Sequence, residues 1–184
     1  MKKLILFLLC ISFFSCKKTK DLTSKKDDGK IEIVLLQVND VYEIAPLPGD
    51  DLGGLARVAN LKKQLISQNK NTLYVIAGDF FNPSVIGTLD DENGKSIKGK
   101  HMVEVLNASN LDLATFGNHE FDLKYKDVQK RLDESTFEWV SSNVEQVSGN
   151  IVKPFYKMRN GEKQYIPKTI IRTMTDQDLS LIHI

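Results

Sequence analysis

The sequence predicts an α/β fold built on a parallel sheet, and three observations support this class. Short segments of β-branched and apolar residues recur along the chain, and amphipathic segments with helical spacing separate them. A polar residue closely follows each of the first three apolar segments. Strands that alternate with helices favour parallel pairing, because each helix carries the chain back to the same end of the sheet.

The first repeat of this pattern is a strand over residues 31–38 followed by a helix over residues 53–68. The helix has apolar residues at helical spacing, and Lys62 is predicted on its solvent side. Residues 146–178 predict one or two further strands and contain no motif. The elements in between are a strand over residues 72–77, a helix ending near Asn110, a strand over residues 111–116, a helix over residues 125–132 and a short strand over residues 137–140.

Polar side chains stand at the carboxyl ends of the first three predicted strands. Asp40, Asp79 and Asn118 follow one another at intervals of 39 residues. Because parallel strands end at one edge of a sheet, we expect the three side-chain oxygens to reach the same edge, where α/β sheets bind ligands. Two carboxylates and an amide are ligands for a hard cation, and a carboxylate between two cations suits phosphoryl chemistry. A single Asp after a strand often only closes a turn, so the argument depends on all three.

A histidine and an aspartate lie beside this predicted site. His119 follows Asn118 directly, and Asp122 comes three residues later. A carboxylate at this spacing can hold the imidazole in one tautomer and keep it cationic, so that it faces a leaving group as an acid.

The first 30 residues are typical of a targeting signal (residues 1–16) followed by a flexible tether (residues 17–30). Two lysines precede an apolar run that is too short to span a bilayer, and Cys16 follows it closely. Residues 1–16 therefore predict a bacterial lipoprotein signal with Cys16 as the acylated residue, and a plain secretory signal is the alternative. Residues 17–30 hold six Lys and three Asp and predict a flexible tether. The predicted location is the bacterial cell envelope, with a lipid anchor in the membrane.

Charge and cysteine content exclude several classes of protein. Eight of the 25 basic and three of the 24 acidic side chains lie in residues 1–30, so residues 31–184 carry a net charge of −4. This balance argues against a nucleic-acid partner. Both cysteines precede residue 17, which excludes a disulfide scaffold, a zinc finger and a thiol nucleophile from the rest of the chain.

Four segments of the sequence stand out as an ordered set of motifs: residues 36–42 (LQVNDVY), 53–57 (GGLAR), 77–84 (AGDFFNPS) and 117–122 (GNHEFD). They resemble the calcineurin-like metallophosphoesterases, and more narrowly their 5′-nucleotidase/UDP-sugar hydrolase branch. Residues 100–108 (KHMVEVLNA) fit the same branch. The resemblance extends from about residue 31 to about residue 145, and the ordered set of motifs is highly specific.

The resemblance implies a site with two divalent metal ions, of which Zn, Mn, Mg and Fe are candidates. Asp40 would bind the first ion, Asp79 would bridge both and Asn118 would bind the second. His119 would stabilise the transition state or protonate the leaving group, with Asp122 orienting it, while a metal-bound hydroxide attacks phosphorus.

The resemblance also implies a fold and a substrate. Residues 31–178 would form part of a four-layer α-β-β-α sandwich. The substrate would be a small-molecule phosphate ester, namely a 5′-nucleotide or a nucleotide sugar. The alternatives are the same fold acting on a cyclic phosphodiester or a sulfur ester, or a non-catalytic lipoprotein that binds nucleotide or phosphate.

The first motif departs from the family pattern. The family has Asp-x-His there, and this chain has Asp40-Val41-Tyr42. Tyr42 is either a phenolate ligand or no ligand, because a neutral phenol, with a pKa of about 10, binds Mg²⁺ or Zn²⁺ poorly. A weaker first metal site, or a ligand supplied from elsewhere, is the alternative.

The chain also stops before the later motifs of the family, which are a further His, a Gly-His-x-His motif and a C-terminal substrate-binding domain. We therefore expect an N-terminal fragment that lacks the C-terminal part of the sandwich and is inactive alone. Residues 179–184 (LSLIHI) resemble a translated sequencing adapter and are predicted to be a non-native tail. His101 is predicted to be a surface residue rather than a ligand.

Overall fold

The structure, a computed structural model, describes residues 29–46, 49, 52–175 and 181–183, with residues 175 and 181–183 described by backbone alone. The chain divides into two units, residues 1–30 and 31–184, and the fold described below is that of the second. The predicted signal with Cys16, and most of the predicted tether, lie outside the described residues. Within the described ranges, the helices are too short or too polar to cross a bilayer.

A four-stranded parallel sheet forms the centre of the second unit, and its strands lie side by side in chain order. One helix lies in each of the three connections between consecutive strands. This alternation confirms the predicted α/β class. The strands are β1 (Val34–Val38), β2 (Thr72–Ile76), β3 (Leu113–Ala114) and β4 (Glu138–Trp139), and the helices are α1 (Leu55–Gln68), α2 (Lys100–Ala108) and α3 (Tyr125–Glu134).

The four strands end level with one another. Val38, Ile76, Ala114 and Trp139 pair in a single row across the sheet, and each is the last residue of its strand. The residues that follow β1, β2 and β3 therefore start from one edge of the sheet. The third strand is shorter than predicted, because the backbone leaves the ladder just after Thr115, whose N–H donates to the Ile76 carbonyl.

An aromatic cluster packs behind this edge. Trp139 and Phe80 are buried and stack with their ring centroids 5.7 Å apart. Phe116 packs against the other side of the cluster, 4.8 Å from Trp139. Such ring pairs contribute about 0.5–1.5 kcal/mol each beyond the burial of their area. The cluster therefore anchors Phe80, the residue directly after Asp79, and Phe116, two residues before Asn118.

Helix α1 buries only part of the face that its sequence predicts: Leu55 is in the core and Val58 packs against it, but other residues are placed differently. Lys62, expected on the solvent side, is buried at 6% exposure, whereas the apolar Leu61 and Ile66 are 43% and 40% exposed. The reason is an ion pair, because Lys62 Nζ lies 3.0 Å from Asp112 Oδ2 and also donates to the Asn110 carbonyl. A buried cation is tolerated when a carboxylate and a hydrogen bond satisfy it.

Three antiparallel pairs follow the parallel sheet, whereas the sequence indicated one or two strands in this region. The described residues thus contain one four-stranded sheet, which is a single sheet layer of the predicted sandwich. Part of the predicted tail is paired, since the last strand lies within residues 179–184. The pairs are β5 (Gln146–Ser148) with β6 (Ile151–Lys153), β7 (Tyr156–Arg159) with β8 (Glu162–Tyr165), and β9 (Thr173–Thr175) with β10 (Leu181–His183).

Candidate active site

The loop after β1 holds Asp40 in a left-handed backbone conformation, with φ at 54°. Its side chain accepts two hydrogen bonds, one from Asn39 Nδ2 to Oδ2 at 2.5 Å and one from the Tyr42 hydroxyl to Oδ1 at 3.0 Å. These bonds, with Asn39 first, lower the pKa of Asp40 below its ordinary value. The backbone N–H of Asp40 donates to the Gly78 carbonyl at 3.3 Å, so this loop touches the loop after β2.

The loop after β2 repeats the conformation at Asp79, where φ is 58°. Asp79 Oδ1 accepts the backbone N–H of His119 at 2.7 Å. The two backbones approach closely here, since a Cβ added to Gly78 would lie 2.2 Å from the Gly117 nitrogen. Glycine is therefore required at residue 78 by space as well as by its φ of 86°. Asp79 is thus held against the segment that carries Asn118 and His119.

The segment after β3 forms a 3₁₀ turn over His119–Asp122, with Asn118 at its N-cap. His119 Nδ1 lies 2.7 Å from Asp122 Oδ2, and Asn82 Nδ2 donates to the same oxygen at 2.9 Å. The bond to Asp122 raises the pKa of His119 and lowers the pKa of Asp122. The two side chains are 37% and 46% exposed, so a ligand can reach them. His119 therefore keeps its proton to a higher pH than a free histidine.

The three loops meet at the edge of the sheet. The Tyr42 ring stands edge-on to the His119 ring, with centroids 5.9 Å apart, which links the first loop to the third. Contacts thus connect Tyr42, Asp40, Asp79, His119 and Asp122, and Asn118 directly precedes His119. The strand ends converge as parallel pairing leads one to expect, while the chemical roles assigned to these residues stay predictions.

Tyr42 is a hydrogen-bond donor in this structure. Partial burial, followed by the hydrogen bond to Asp40, raises the pKa of Tyr42 to about 12. The phenol is therefore neutral near pH 7, and its proton faces Asp40. Its role as a metal ligand stays a prediction.

Two residues at the site had been given no role from the sequence. Glu120 is fully buried, and its carboxylate accepts the backbone N–H groups of Asp79, Phe80, Phe81 and Gly117. Asn82 reaches Asp122 from the loop after β2. Glu120 is the buried residue of a turn whose other side chains are exposed or half-buried, and its place inside the Gly-Asn-His-Glu motif is the signal that could have found it. The sequence has no comparable signal for Asn82.

The side chains at this edge are of the chemical types that bind divalent cations. Asp40 and Asp79 supply carboxylates and Asn118 supplies an amide oxygen, which are ligands for hard cations. Both Asp40 oxygens and one Asp79 oxygen already accept hydrogen bonds. Across the described ranges, no three side chains of His, Cys, Asp or Glu are grouped so as to hold a metal ion. The donor set is thus chemically suitable but small, and further ligands have to complete it.

His101 is not at the surface, contrary to the expectation. It is 9% exposed, and its Nε2 lies 3.1 Å from Ser84 Oγ. Burial lowers the pKa of His101 below its ordinary value, because desolvation disfavours the charged imidazole. Its hydrogen bond to Ser84 ties α2 to the loop after β2.

Comparison with known proteins identifies the family of this chain. The family model for calcineurin-like phosphoesterases matches residues 33–180. The trifunctional nucleotide phosphoesterase protein YfkN of Bacillus subtilis is 33% identical over 131 residues, which are 68% of this chain and 8% of that protein. The 2′,3′-cyclic-nucleotide 2′-phosphodiesterase/3′-nucleotidase of Haemophilus influenzae is 30% identical over 118 residues, 64% of this chain and 17% of that protein.

Solved structures place the fold in the same group. The NAD nucleotidase of Haemophilus influenzae superposes with a TM-score of 0.56 at 28% identity, over 72% of this chain and 28% of that one. The chain thus spans less than a third of this structure, and less than a fifth of the length of the two sequence relatives. Residues 33–180, which the family model matches, contain every strand end described above. The chain therefore belongs to the calcineurin-like phosphoesterase family.

Proposed function

We propose that this chain contributes to the metal-dependent hydrolysis of phosphate esters, with 5′-nucleotides or nucleotide sugars as the substrate class. The observation that carries the proposal is the His119 turn, in which Asp79 accepts the backbone N–H of His119 while Asp122 holds its ring. Membership of the family supports the reaction class, and two similar proteins carry names that refer to nucleotides.

Asp40, Asp79 and Asn118 are the proposed ligands of two divalent metal ions, with Asp79 between them. When bound, such ions supply Lewis-acid activation and neutralise the charge of phosphoryl oxygens. The chain's own contribution is to present two carboxylates and an amide from three level strand ends.

His119 is the proposed proton donor. Its Nδ1 is engaged by Asp122 at 2.7 Å, which leaves Nε2 to point at a bound ester. Because Asp122 raises the pKa of His119, the imidazole keeps its proton to a higher pH than a free histidine and can give its Nε2 proton to the leaving oxygen. Asp122 acts through His119 and is a positioning residue.

The test is phosphate release from AMP by the full-length protein in the presence of Mn²⁺. We expect His119→Ala to lower kcat by ~10²-fold or more, the scale of general acid catalysis. His101→Gln is the matched control, because His101 is a histidine whose hydrogen bond goes to Ser84 rather than to this site. An unchanged kcat in His119→Ala contradicts the role of His119. Nucleotide binding without hydrolysis by the parent protein contradicts the enzyme and favours a binding protein.

A cyclic phosphodiester is the second candidate substrate. The name of the Haemophilus influenzae relative, a 2′,3′-cyclic-nucleotide 2′-phosphodiesterase/3′-nucleotidase, favours it. The same preparation is assayed with 2′,3′-cyclic AMP and with AMP. A kcat/KM for the cyclic ester at least tenfold above that for AMP would replace the first candidate with the second.

We also propose that Cys16 carries a lipid that anchors the protein in the bacterial cell envelope. The apolar run that closely precedes Cys16 supports this proposal. Labelled fatty acid should enter the wild-type protein in cells and should be absent from Cys16→Ser. Equal labelling of the two proteins contradicts acylation at Cys16.

A further inference from the structure

The buried carboxylate of Glu120 has four hydrogen-bond donors around it. Oε1 accepts the N–H groups of Phe80 and Phe81 at 2.8 and 3.2 Å, and Oε2 accepts those of Asp79 and Gly117 at 2.9 and 2.7 Å. Each oxygen therefore takes two backbone donors. The side chain is fully buried, and a carboxylate in such a position is stable only when its hydrogen bonds compensate for lost water.

The four donors belong to two different segments. Three of them lie in the loop after β2, which carries Asp79, and the fourth lies just before Asn118. Because β2 and β3 are neighbours, Glu120 ties the ends of two adjacent parallel strands together. A Cβ on Gly117 would lie 2.2 Å from Asp79 Oδ1, so the two segments are already in contact where Glu120 joins them.

This tie acts on the conformation of Asp79. Asp79 has a φ of 58°, a left-handed conformation that costs a non-glycine residue about 1–2 kcal/mol. The hydrogen bond from its own N–H to Glu120 helps to hold it there, and the direction of its carboxylate follows from that backbone. The position of Asp79 relative to Asn118 thus depends on a side chain that faces away from solvent.

We propose that Glu120 is a positioning residue of the metal site: by clasping the loops after β2 and β3, it sets the spacing of Asp79 and Asn118 and so the affinity for divalent cations. The inference rests on the metal site proposed above. Glu120 itself touches neither metal nor substrate, since it is fully buried behind the two loops. Residues that orient metal ligands typically contribute 10- to 100-fold to affinity.

The experiment compares Mn²⁺ affinity and amide hydrogen exchange in the whole chain and in Glu120→Gln. The amide group of glutamine replaces one acceptor oxygen with a donor, so two of the four N–H groups lose their partner. We expect Mn²⁺ to bind 10- to 100-fold more weakly. Exchange at Asp79, Phe80, Phe81 and Gly117 should quicken while exchange in β1 is unchanged. Glu104→Gln is the control, because Glu104 is an exposed carboxylate paired with Lys100.

The possible outcomes separate a positioning role of Glu120 from a merely structural one. Faster local exchange with unchanged Mn²⁺ affinity shows a merely structural role and overturns the inference while the metal site stands. A parent chain that binds no Mn²⁺ contradicts the metal site, and the inference falls with it. If Glu120→Gln does not fold, Glu120→Asp carries the test, since its shorter carboxylate cannot reach all four donors. A folded Glu120→Asp with parental Mn²⁺ affinity equally overturns the inference.

Discussion

Two loops of the site hold an aspartate in the same backbone conformation but differ in what restrains it. The φ values of Asp40 and Asp79 are 54° and 58°. The Asp40 carboxylate is held by Asn39 and Tyr42, both within two residues of it, and Asp40 is linked to the next strand's loop by a backbone bond to the Gly78 carbonyl at 3.3 Å. Asp79, in contrast, accepts the N–H of His119 and donates its own N–H to Glu120, which lie 40 and 41 residues further along the chain. Both aspartates follow a strand and share one backbone conformation. The carboxylate of Asp79, unlike that of Asp40, is held by the segment that follows the neighbouring strand.

The difference bears on how the site is prepared for a ligand. Contacts within two residues open when the loop itself fluctuates, whereas contacts from another strand open only when both segments move. We therefore expect the Asp79 side of the site to be arranged before a cation arrives and the Asp40 side to adjust when it binds. The departure of the chain from its family pattern, Tyr42, falls on the adjustable side.

Replacement of the two aspartates is expected to give the largest effect. Asp79→Ala removes the carboxylate proposed to lie between two metal ions and leaves the N–H of His119 without its acceptor. We expect both ions to be lost and kcat to fall by ~10²-fold or more, the scale for removal of a preorganised electrostatic group. Asp40→Ala should keep one ion. Metal content of the purified proteins measures this, and an Asp79→Ala protein with the parental content contradicts the bridge.

Glycine substitutions test the restraint without replacing a proposed ligand. A Cβ on Gly117 would meet Asp79 Oδ1 at 2.2 Å, so Gly117→Ala forces the two loops apart. We expect the free energy of unfolding to fall by about 3 kcal/mol, the upper range for overpacking. Gly53, near the first loop, has open space around its Cβ position and a φ of 78°. Gly53→Ala should therefore cost only about 1 kcal/mol, from backbone strain.

Urea denaturation of the two variants gives both numbers. Equal losses for Gly117→Ala and Gly53→Ala would mean that the loops after β2 and β3 yield as readily as the first loop. The contrast between the two sides of the site would then be wrong.

The fold class and the strand ends follow from local patterns, which is why the sequence predicts them. A β-branched segment with a helical segment after it returns the chain to the same end of the sheet, so Asp40, Asp79 and Asn118 have to meet. This argument needs no knowledge of side-chain partners. The common edge of the strand ends is therefore predicted correctly, even though β3 has fewer paired residues than expected.

Residues whose environment depends on a distant partner were predicted wrongly or missed. Lys62 is buried because Asp112, on another element, pairs with it, and a helical pattern contains no information about that partner. His101 is buried with its Nε2 3.1 Å from Ser84 Oγ, which belongs to another segment of the chain. Glu120 was given no role because its four donors are backbone N–H groups. Nearly every residue has such a group, so residue types alone do not identify these partners.

The ion pair at the third loop makes a prediction about pH. His119, whose pKa is raised, contributes stability below the ordinary pKa of histidine, and that contribution is lost as pH rises through the raised value. Asp122, whose pKa is lowered, contributes above the ordinary pKa of aspartate, and that contribution is lost as pH falls through the lowered value. The pair is therefore fully charged between the two.

Asp122→Asn should lower the NMR titration midpoint of His119 toward about 6.5, the value of a free histidine. Asp91→Asn is the control and should leave the midpoint in place, because Asp91 is a half-buried aspartate whose Oδ1 accepts the N–H groups of Asn93 and Lys95. A midpoint in Asp122→Asn equal to that of the parent would mean that Asp122 does not hold the imidazolium. It would also remove the reason to expect His119 to keep its proton to a higher pH than a free histidine.

Tyr42→Phe should give the smallest effect, and it tests the adjustable side directly. The hydroxyl of Tyr42 has a pKa of about 12 and is a neutral donor to Asp40 Oδ1. Its removal therefore takes a hydrogen bond from the Asp40 carboxylate and does not remove a metal ligand. A single hydrogen bond of this kind contributes about 1 kcal/mol, and Mn²⁺ affinity should therefore change by about fivefold at most. Metal content should be unchanged. Loss of one ion on this substitution would instead identify Tyr42 as a phenolate ligand, and the first loop would then hold metal as firmly as the second.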